Sequence, residues 1–247
     1  MAQQKSIIIF SGKLGNLVGY KRNGKPCLRS MPEKVTQTAG TRRASQRFGM
    51  ASSKGALIRN AFYGELDVCS DGTHVNRLTS TLIPSAGNNT KRIVGFRFNQ
   101  HTGTDRFFMH APQLSADGIL HIPAQTLPVF KGITCLEVKV IAARINFTTH
   151  QVVDTESHIL IVDTKIPFTG AAFPVDASGE GTLVVTLQIR GLQGNIPSRN
   201  TRYLAADIVA VQPPQTLEVF QKQTYPQPQN IQNTYYTHPQ PSIILRE

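Results

Sequence analysis

The stretch closest to a chemical motif is Gly19-Tyr20-Lys21-Arg22-Asn23-Gly24-Lys25-Pro26, which meets every position of the phosphate-binding loop pattern G-x-x-x-x-G-K-[ST] except the last. In that motif backbone amides cradle phosphates and the final hydroxyl holds magnesium. Pro26 removes the hydroxyl, and Asn23-Gly24 is the signature of a tight hairpin turn rather than the opening of a helix. Nucleotide chemistry is therefore not expected here. Metal chemistry is not expected either. The histidines His74, His101, His110, His121, His150, His158 and His238 show neither i, i+2 nor i, i+4 spacing. Cys27, Cys69 and Cys135 stand 42 and 66 residues apart, which suits neither a metal knuckle nor a disulfide framework. Asp154 and Glu156 flank Thr155 near a strand start, as a carboxylate pair for glycoside hydrolysis would, but solvated turn acids are the commoner meaning of such a pair. The chain has no G-x-S-x-G elbow, dinucleotide fingerprint or H-E-x-x-H motif. A non-catalytic protein without metal or cofactor is the expectation.

What the residues do offer is positive charge. The first 60 residues carry 12 Lys or Arg against the single acid Glu33, while the other 187 carry 14 basic and 14 acidic residues, so the formal net charge of +11 sits in the N-terminal quarter. Such asymmetry points to a partner with negative charge: nucleic acid, an acidic protein surface or an anionic membrane. The candidate docking residues are Lys13, Tyr20, Lys21, Arg22, Lys25, Arg29, Arg42, Arg43 and Arg47.

Two elements must position them. Leu17–Arg22 and Lys25–Arg29 read as strands joined by a type I′ turn, with Arg22 facing Lys25 and Tyr20 facing Cys27. Thr41 to Phe62 brings Ala44, Phe48, Ala51, Ile58 and Phe62 onto one helical face, predicted to lie on a core, with Arg42, Arg43, Arg47, Lys54 and Arg59 outward. A second helix is expected from Thr73 to Leu82, stopped by Pro84.

Beyond Arg92 the pattern becomes β-branched runs between turn residues: Ile93–Phe98, Arg106–Met109, Gly118–Ile122, Cys135–Phe147, Ser157–Asp163, Gly181–Ile189 and Thr201–Val211. Their number and spacing predict a mainly β fold with a β-sandwich body. Leu136–Val140 alternates as a half-buried strand does, whereas the unbroken Ile159-Leu160-Ile161-Val162 predicts cover on both faces. The last 35 residues hold six Pro and seven Gln, a composition that favours an extended tail. Apolar segments near the two ends, Ile7, Ile8, Ile9 and Phe10, and Ile243, Ile244 and Leu245, read as terminal-arm strands able to pair with a neighbour's sheet edge. The expected organisation is thus a basic arm and hairpin over 1–35, a helical basic segment over 36–90, a β-sandwich over 91–212 and a Pro/Gln-rich tail over 213–247.

The run Ser11-Gly12-Lys13-Leu14-Gly15-Asn16-Leu17-Val18-Gly19-Tyr20-Lys21-Arg22-Asn23-Gly24, followed by Arg29-Ser30 and Arg43 to Phe48, resembles an uncharacterised bacterial family of basic proteins with a Gly-rich N-terminal hairpin, an Arg-rich helix and a β-rich C-terminal part. The resemblance covers about the first 60 residues and implies that order of elements and no activity.

The expectation is a structural or assembly protein, a component of a phage-like virion or filament. It would form a homo-oligomer or larger assembly and dock through its basic region and terminal arms. The alternative is a sequence-tolerant nucleic-acid-binding protein. Four apolar residues at Ile7–Phe10 are too few for a signal peptide, and no run reaches membrane-spanning length. The expected location is the cytoplasm or a particle assembled there, without membrane insertion.

Overall fold

The computed structural model describes residues 2–5, 9–34, 36–67, 71–85, 89–175 and 177–214. The chain divides into two units, Met1–Pro214 and Gln215–Glu247. The second unit, with the predicted strand at Ile243, Ile244 and Leu245, lies outside the described residues, as do Ile7, Ile8 and Cys69.

The first unit opens with a small antiparallel sheet of β1 (Ala2–Gln3), β2 (Gly12–Leu14), β3 (Leu17–Arg22) and β4 (Lys25–Ser30), in the order β1-β4-β3-β2. The predicted hairpin is present. Asn23 and Gly24 both take positive φ, 50° and 76°, as a type I′ turn requires, and Tyr20 pairs with Cys27 and Arg22 with Lys25. The terminal strand predicted at Ile7–Phe10 is not formed by its described part. Ile9 and Phe10 run outside any strand, and Ala2 and Gln3 take the free edge of β4 instead. Gln4 explains the arrangement: its side chain donates to the carbonyls of Phe10 and Cys27 at 3.2 and 3.0 Å and accepts from the Phe10 amide at 3.2 Å. That amide grip holds Phe10 across Gly19, a buried position where a side chain would collide with the Phe10 carbonyl.

Next comes α1 (Ala39–Tyr63), capped by Thr38, whose Oγ1 accepts from the Thr41 amide at 3.2 Å, an ordinary N-cap. It begins two residues before the predicted start. Ala51, Gly55, Ile58, Ala61 and Phe62 are buried as the apolar stripe requires, but Ala44 and Phe48, expected on the core, are solvent-exposed. Only the second half of the helix packs against the core, so the stripe continues past the contact. α2 (His74–Leu82) buries Leu78 and Leu82. It ends at Leu82 as predicted, and Pro84 follows in a 3₁₀ turn over Ile83–Ser85.

The remaining strands are β5 (Gln113–Leu114), β6 (Ile119–Ile122), β7 (Cys135–Asn146), β8 (Gln151–Asp163), β9 (Ala171–Pro174), β10 (Thr182–Gln193), β11 (Ile196–Pro197) and β12 (Leu204–Gln212). They form two sheets, and the chain is mainly β. The larger runs β8-β7-β10, with β11 and β12 both on the far side of β10, and the smaller is β5-β6-β9. Strand alternation sends successive side chains to opposite faces. Leu136, Val138 and Val140 therefore join Leu120, Ile122 and Phe173 of the small sheet in one core, while Ile141, Ala143 and Ile145 join Ile58, Phe62 and Leu82 of the helices in another. The large sheet is thus the middle layer.

Two predicted strands are not strands. Ile93–Phe98 is broken by Gly95 at φ 83°, and its last residues lie along β12, bonding Gly95 N to Ile208 O at 2.7 Å and Phe98 N to Ala206 O at 2.8 Å. Arg106–Met109 follows a 3₁₀ turn at Thr104–Arg106, because the Asp207 carboxylate accepts from the Thr104 amide at 2.7 Å and its hydroxyl at 3.0 Å and curls the chain. In the other direction β8 starts six residues earlier than predicted. Asp154 and Glu156 stand within it rather than in a turn. Ile159 and Ile161, predicted to be covered, are exposed at 59% and 53%, because α1 packs over the Ile141–Ile145 end of the sheet and leaves this stretch bare.

Candidate functional site

The basic residues fall into two groups. On the small N-terminal sheet, register decides which face each cation shares. Lys13 pairs with Val18, Val18 with Arg29, Tyr20 with Cys27 and Arg22 with Lys25, and directly opposed residues share a face. Lys13, Arg22, Lys25 and Arg29 therefore surround Val18, Tyr20 and Cys27 on one side. The Arg29 guanidinium lies 6.0 Å from the Tyr20 ring centroid, within cation–π range, and Val18, Tyr20, Arg22 and Arg29 line an open concavity of about 470 Å³. Lys21 is separated from this group, because it lies on the opposite face with Gly19, the side that Phe10 covers.

The second group is Arg42, Arg43 and Arg47 on the first half of α1, where every residue from Ala39 to Met50 is exposed. Arg42 ends the first turn of α1 and opposes the helix dipole there, while Arg43 and Arg47, beyond it and four residues apart, repel as like charges by about 0.2–0.5 kcal/mol. The first turn of α1 carries no acid to offset them, and no Asp or Glu occurs from residue 34 to 64. Among the described residues none of the three side chains makes a hydrogen bond or an ion pair. Lys54 and Arg59, predicted to project outward with them, are only partly exposed and belong to the packed half of the helix. Lys54 lies 5.4 Å from the Phe147 ring centroid, and burial lowers its pKa.

The charges around Asp67 in the body, by contrast, are paired with one another. Lys139 donates to the Glu65 carbonyl at 2.6 Å and reaches Glu65 Oε2 at 3.3 Å and Asp67 Oδ2 at 3.4 Å. Gln188 accepts from the Asp67 amide at 2.8 Å and donates to its carboxylate at 2.9 Å. Arg190 is paired with Glu137 at 2.7 Å. Burial raises the Asp67 pKa, but the Gln188 bond and the charges of Arg190 and Lys139 outweigh it and leave the carboxyl below its ordinary value. A cleft of about 600 Å³ opens beside Asp67 and Arg190. Asp67 and Arg190 are committed to fastening the chain after α1 onto β7 and β10. The sequence did not mark this seam, although Lys139 within an alternating strand was its one visible trace.

The carboxylates considered for glycoside chemistry are occupied as well. Asp154 accepts from the Ser178 amide at 2.8 Å and the Thr155 amide at 2.9 Å, and Glu156 lies 3.1 Å from His158 Nε2. Among the described residues no three His, Cys, Asp or Glu side chains converge as metal ligands would. No described helix is long and apolar enough to cross a membrane. Comparison with known proteins finds no matching family model, curated protein or solved structure.

Proposed function

We propose that this protein is a non-catalytic assembly component whose basic N-terminal region docks on an anionic partner in a multi-subunit particle. One observation carries the reading: Arg42, Arg43 and Arg47 stand on a fully exposed half-helix without a compensating carboxylate, in an arrangement that lowers the stability of the isolated helix. Charge placed against local stability is accounted for by a partner that neutralises it. The stripe of Ala44 and Phe48 beside these cations adds an apolar strip to the docking face. A phage-like virion or filament subunit fits this combination of a packed β body with a separate cationic arm.

A second reading, sequence-tolerant nucleic-acid binding, is favoured by the Tyr20–Arg29 pair over an open concavity, since an aromatic ring ringed by cations suits stacking of a base with phosphate contacts around it. Light scattering of the purified native species at low and high salt, with absorbance at 260 nm followed in parallel, separates the two. A large, nucleic-acid-free species stable to salt supports assembly through protein contacts. A small species that sheds nucleic acid as salt rises supports phosphate binding, and a small, salt-indifferent species free of nucleic acid refutes both.

A further inference from the structure

The two outer edges of the large sheet are treated differently. Along β12 the edge is covered by the Gly95–Phe98 segment, which forms the bridge Arg97↔Asp207 and bonds to the backbone of Ile208 and Ala206. Along β8, a 13-residue strand, no described residue pairs with the outer side. An open edge of that length is ordinarily blunted by Lys, Pro or a bulge, because its free amides and carbonyls recruit another strand. β8 contains neither Lys, Arg nor Pro, and its one irregularity lies at its start, where Arg144 pairs with Asp154 and Ile145 with Val152, leaving Val153 as the extra residue. Its middle also exposes two isoleucines, Ile159 and Ile161, on the face that α1 leaves bare.

From these features we infer that β8 is a self-pairing edge: two copies of this chain join β8 to β8, antiparallel, about a twofold axis at Ser157. The axis must stand perpendicular to the sheet for the two sheets to continue into one, so opposed residues share a face and one residue faces its own copy. Charge favours Ser157 as that residue. Centring on Glu156 sets two carboxylates against each other, which is destabilising. Centring on Ser157 sets Glu156 opposite His158, Thr155 opposite Ile159 and Asp154 opposite Leu160, so no like charges face each other. Val153, itself 45% exposed, then falls beside Ile161 of the other copy. The ladder from Asp154 to Leu160 clears the bulge on both sides. The pairing involves none of the basic arm and stands or falls independently of the function proposed above.

The test is the mass of the full chain by light scattering, together with cross-linking. With the docking cations of the proposed function removed by Arg42→Gln, Arg43→Gln and Arg47→Gln, so that larger assembly through them is absent, the chain is expected at twice its 27.2 kDa mass. Ile159→Lys with Ile161→Lys is expected to weaken the dimer at least about tenfold, because lysines blunt an edge strand and replace the apolar contacts to Thr155 and Val153 of the other copy, with the thermal midpoint of the dilute monomer unchanged. Ser157→Cys is expected to cross-link on mild oxidation, because directly opposed Cβ atoms lie about 4.5–5.5 Å apart. Thr155→Cys, with its copy about four residues away along the strand, or roughly 13 Å, serves as the control for the native cysteines. A chain with the three Arg→Gln substitutions that is monomeric throughout, a dimer indifferent to the two Lys substitutions, or equal cross-linking of the two Cys variants overturns the proposal.

Discussion

Asp71 and Arg77 form an ion pair that fastens the start of α2 to the segment before β5: the Asp71 carboxylate takes the Arg77 guanidinium and the Thr73 hydroxyl, and accepts from the Thr73 amide at 2.8 Å and the Gln100 amide at 3.3 Å. Arg77 lies in turn over the Phe96 ring, 5.1 Å from its centroid. Burial raises the Asp71 pKa, but the bonds from Thr73 and Arg77 outweigh it and hold the carboxyl far below the ordinary carboxylate range. A depressed folded-state value means that the ionised group favours the folded chain. That contribution is complete above the unfolded value of about 3.9 and is lost progressively as pH falls from there through the lower folded value. Asp71→Asn is expected to destabilise the chain by roughly 1–3 kcal/mol at pH 7, the range for breaking charge-assisted bonds. The difference from wild type should shrink toward pH 3 in urea titrations followed by circular dichroism. A difference independent of pH would contradict this assignment.

The stripe along α1 yields a prediction with a built-in contrast. Phe62, fully buried, contacts Phe98 at a centroid separation of 5.9 Å, so Phe62→Ala should cost about 3–5 kcal/mol in chemical denaturation. Phe48, on the same face but 55% exposed, should change stability by less than about 0.5 kcal/mol on substitution by Ala. A large loss at Phe48 would mean that the first half of the helix is packed.

That contrast also marks where sequence reading succeeds and stops. The 3.6-residue period locates α1 and its face because periodicity is a local property, but it carries no signal for where the contact with the core ends. The Asn23-Gly24 hairpin was legible for the same local reason, since only certain residues tolerate two successive positive φ values. The unbroken Ile159–Val162 run indicated cover on both faces, and the structure shows it bare toward α1's side, because burial is decided by which element passes over a strand. Asp207 and Gln188 organise loops from more than 100 residues away. No window of sequence contains such a pairing. Of the candidate docking residues, strand parity correctly grouped Arg22, Lys25 and Arg29 around Tyr20 and by the same rule sets Lys21 on the opposite face; only that Phe10 covers that face was beyond a local reading.

Gly19 tests whether the small sheet folds as its own unit. A side chain at this position would displace Phe10 from the Gln4 grip. Gly19→Val should therefore open the N-terminal sheet to limited proteolysis within residues 2–30 while leaving the thermal unfolding of the body within experimental error of wild type. Coupled loss of both would show that the sheet supports the body.

The cations of α1 carry the proposed function, and their removal should separate binding from folding. Arg42→Gln, Arg43→Gln and Arg47→Gln together remove exposed charge, including the like-charge pair Arg43 and Arg47, so helix stability should rise by about 0.2–0.5 kcal/mol in all and the fold should persist. Partner binding should fall. If the partner is nucleic acid, the slope of log affinity against log salt should become shallower by up to about 0.9 for each lost phosphate contact, which fluorescence anisotropy with an unstructured oligonucleotide reads directly. If the partner is a protein subunit held partly by the Ala44–Phe48 strip, the variant should instead assemble more weakly with little change in salt dependence, as followed by light scattering. Retained binding of both kinds with full affinity would remove these three arginines from the docking surface. Unfolding of the variant would assign them a structural role that their exposure does not suggest.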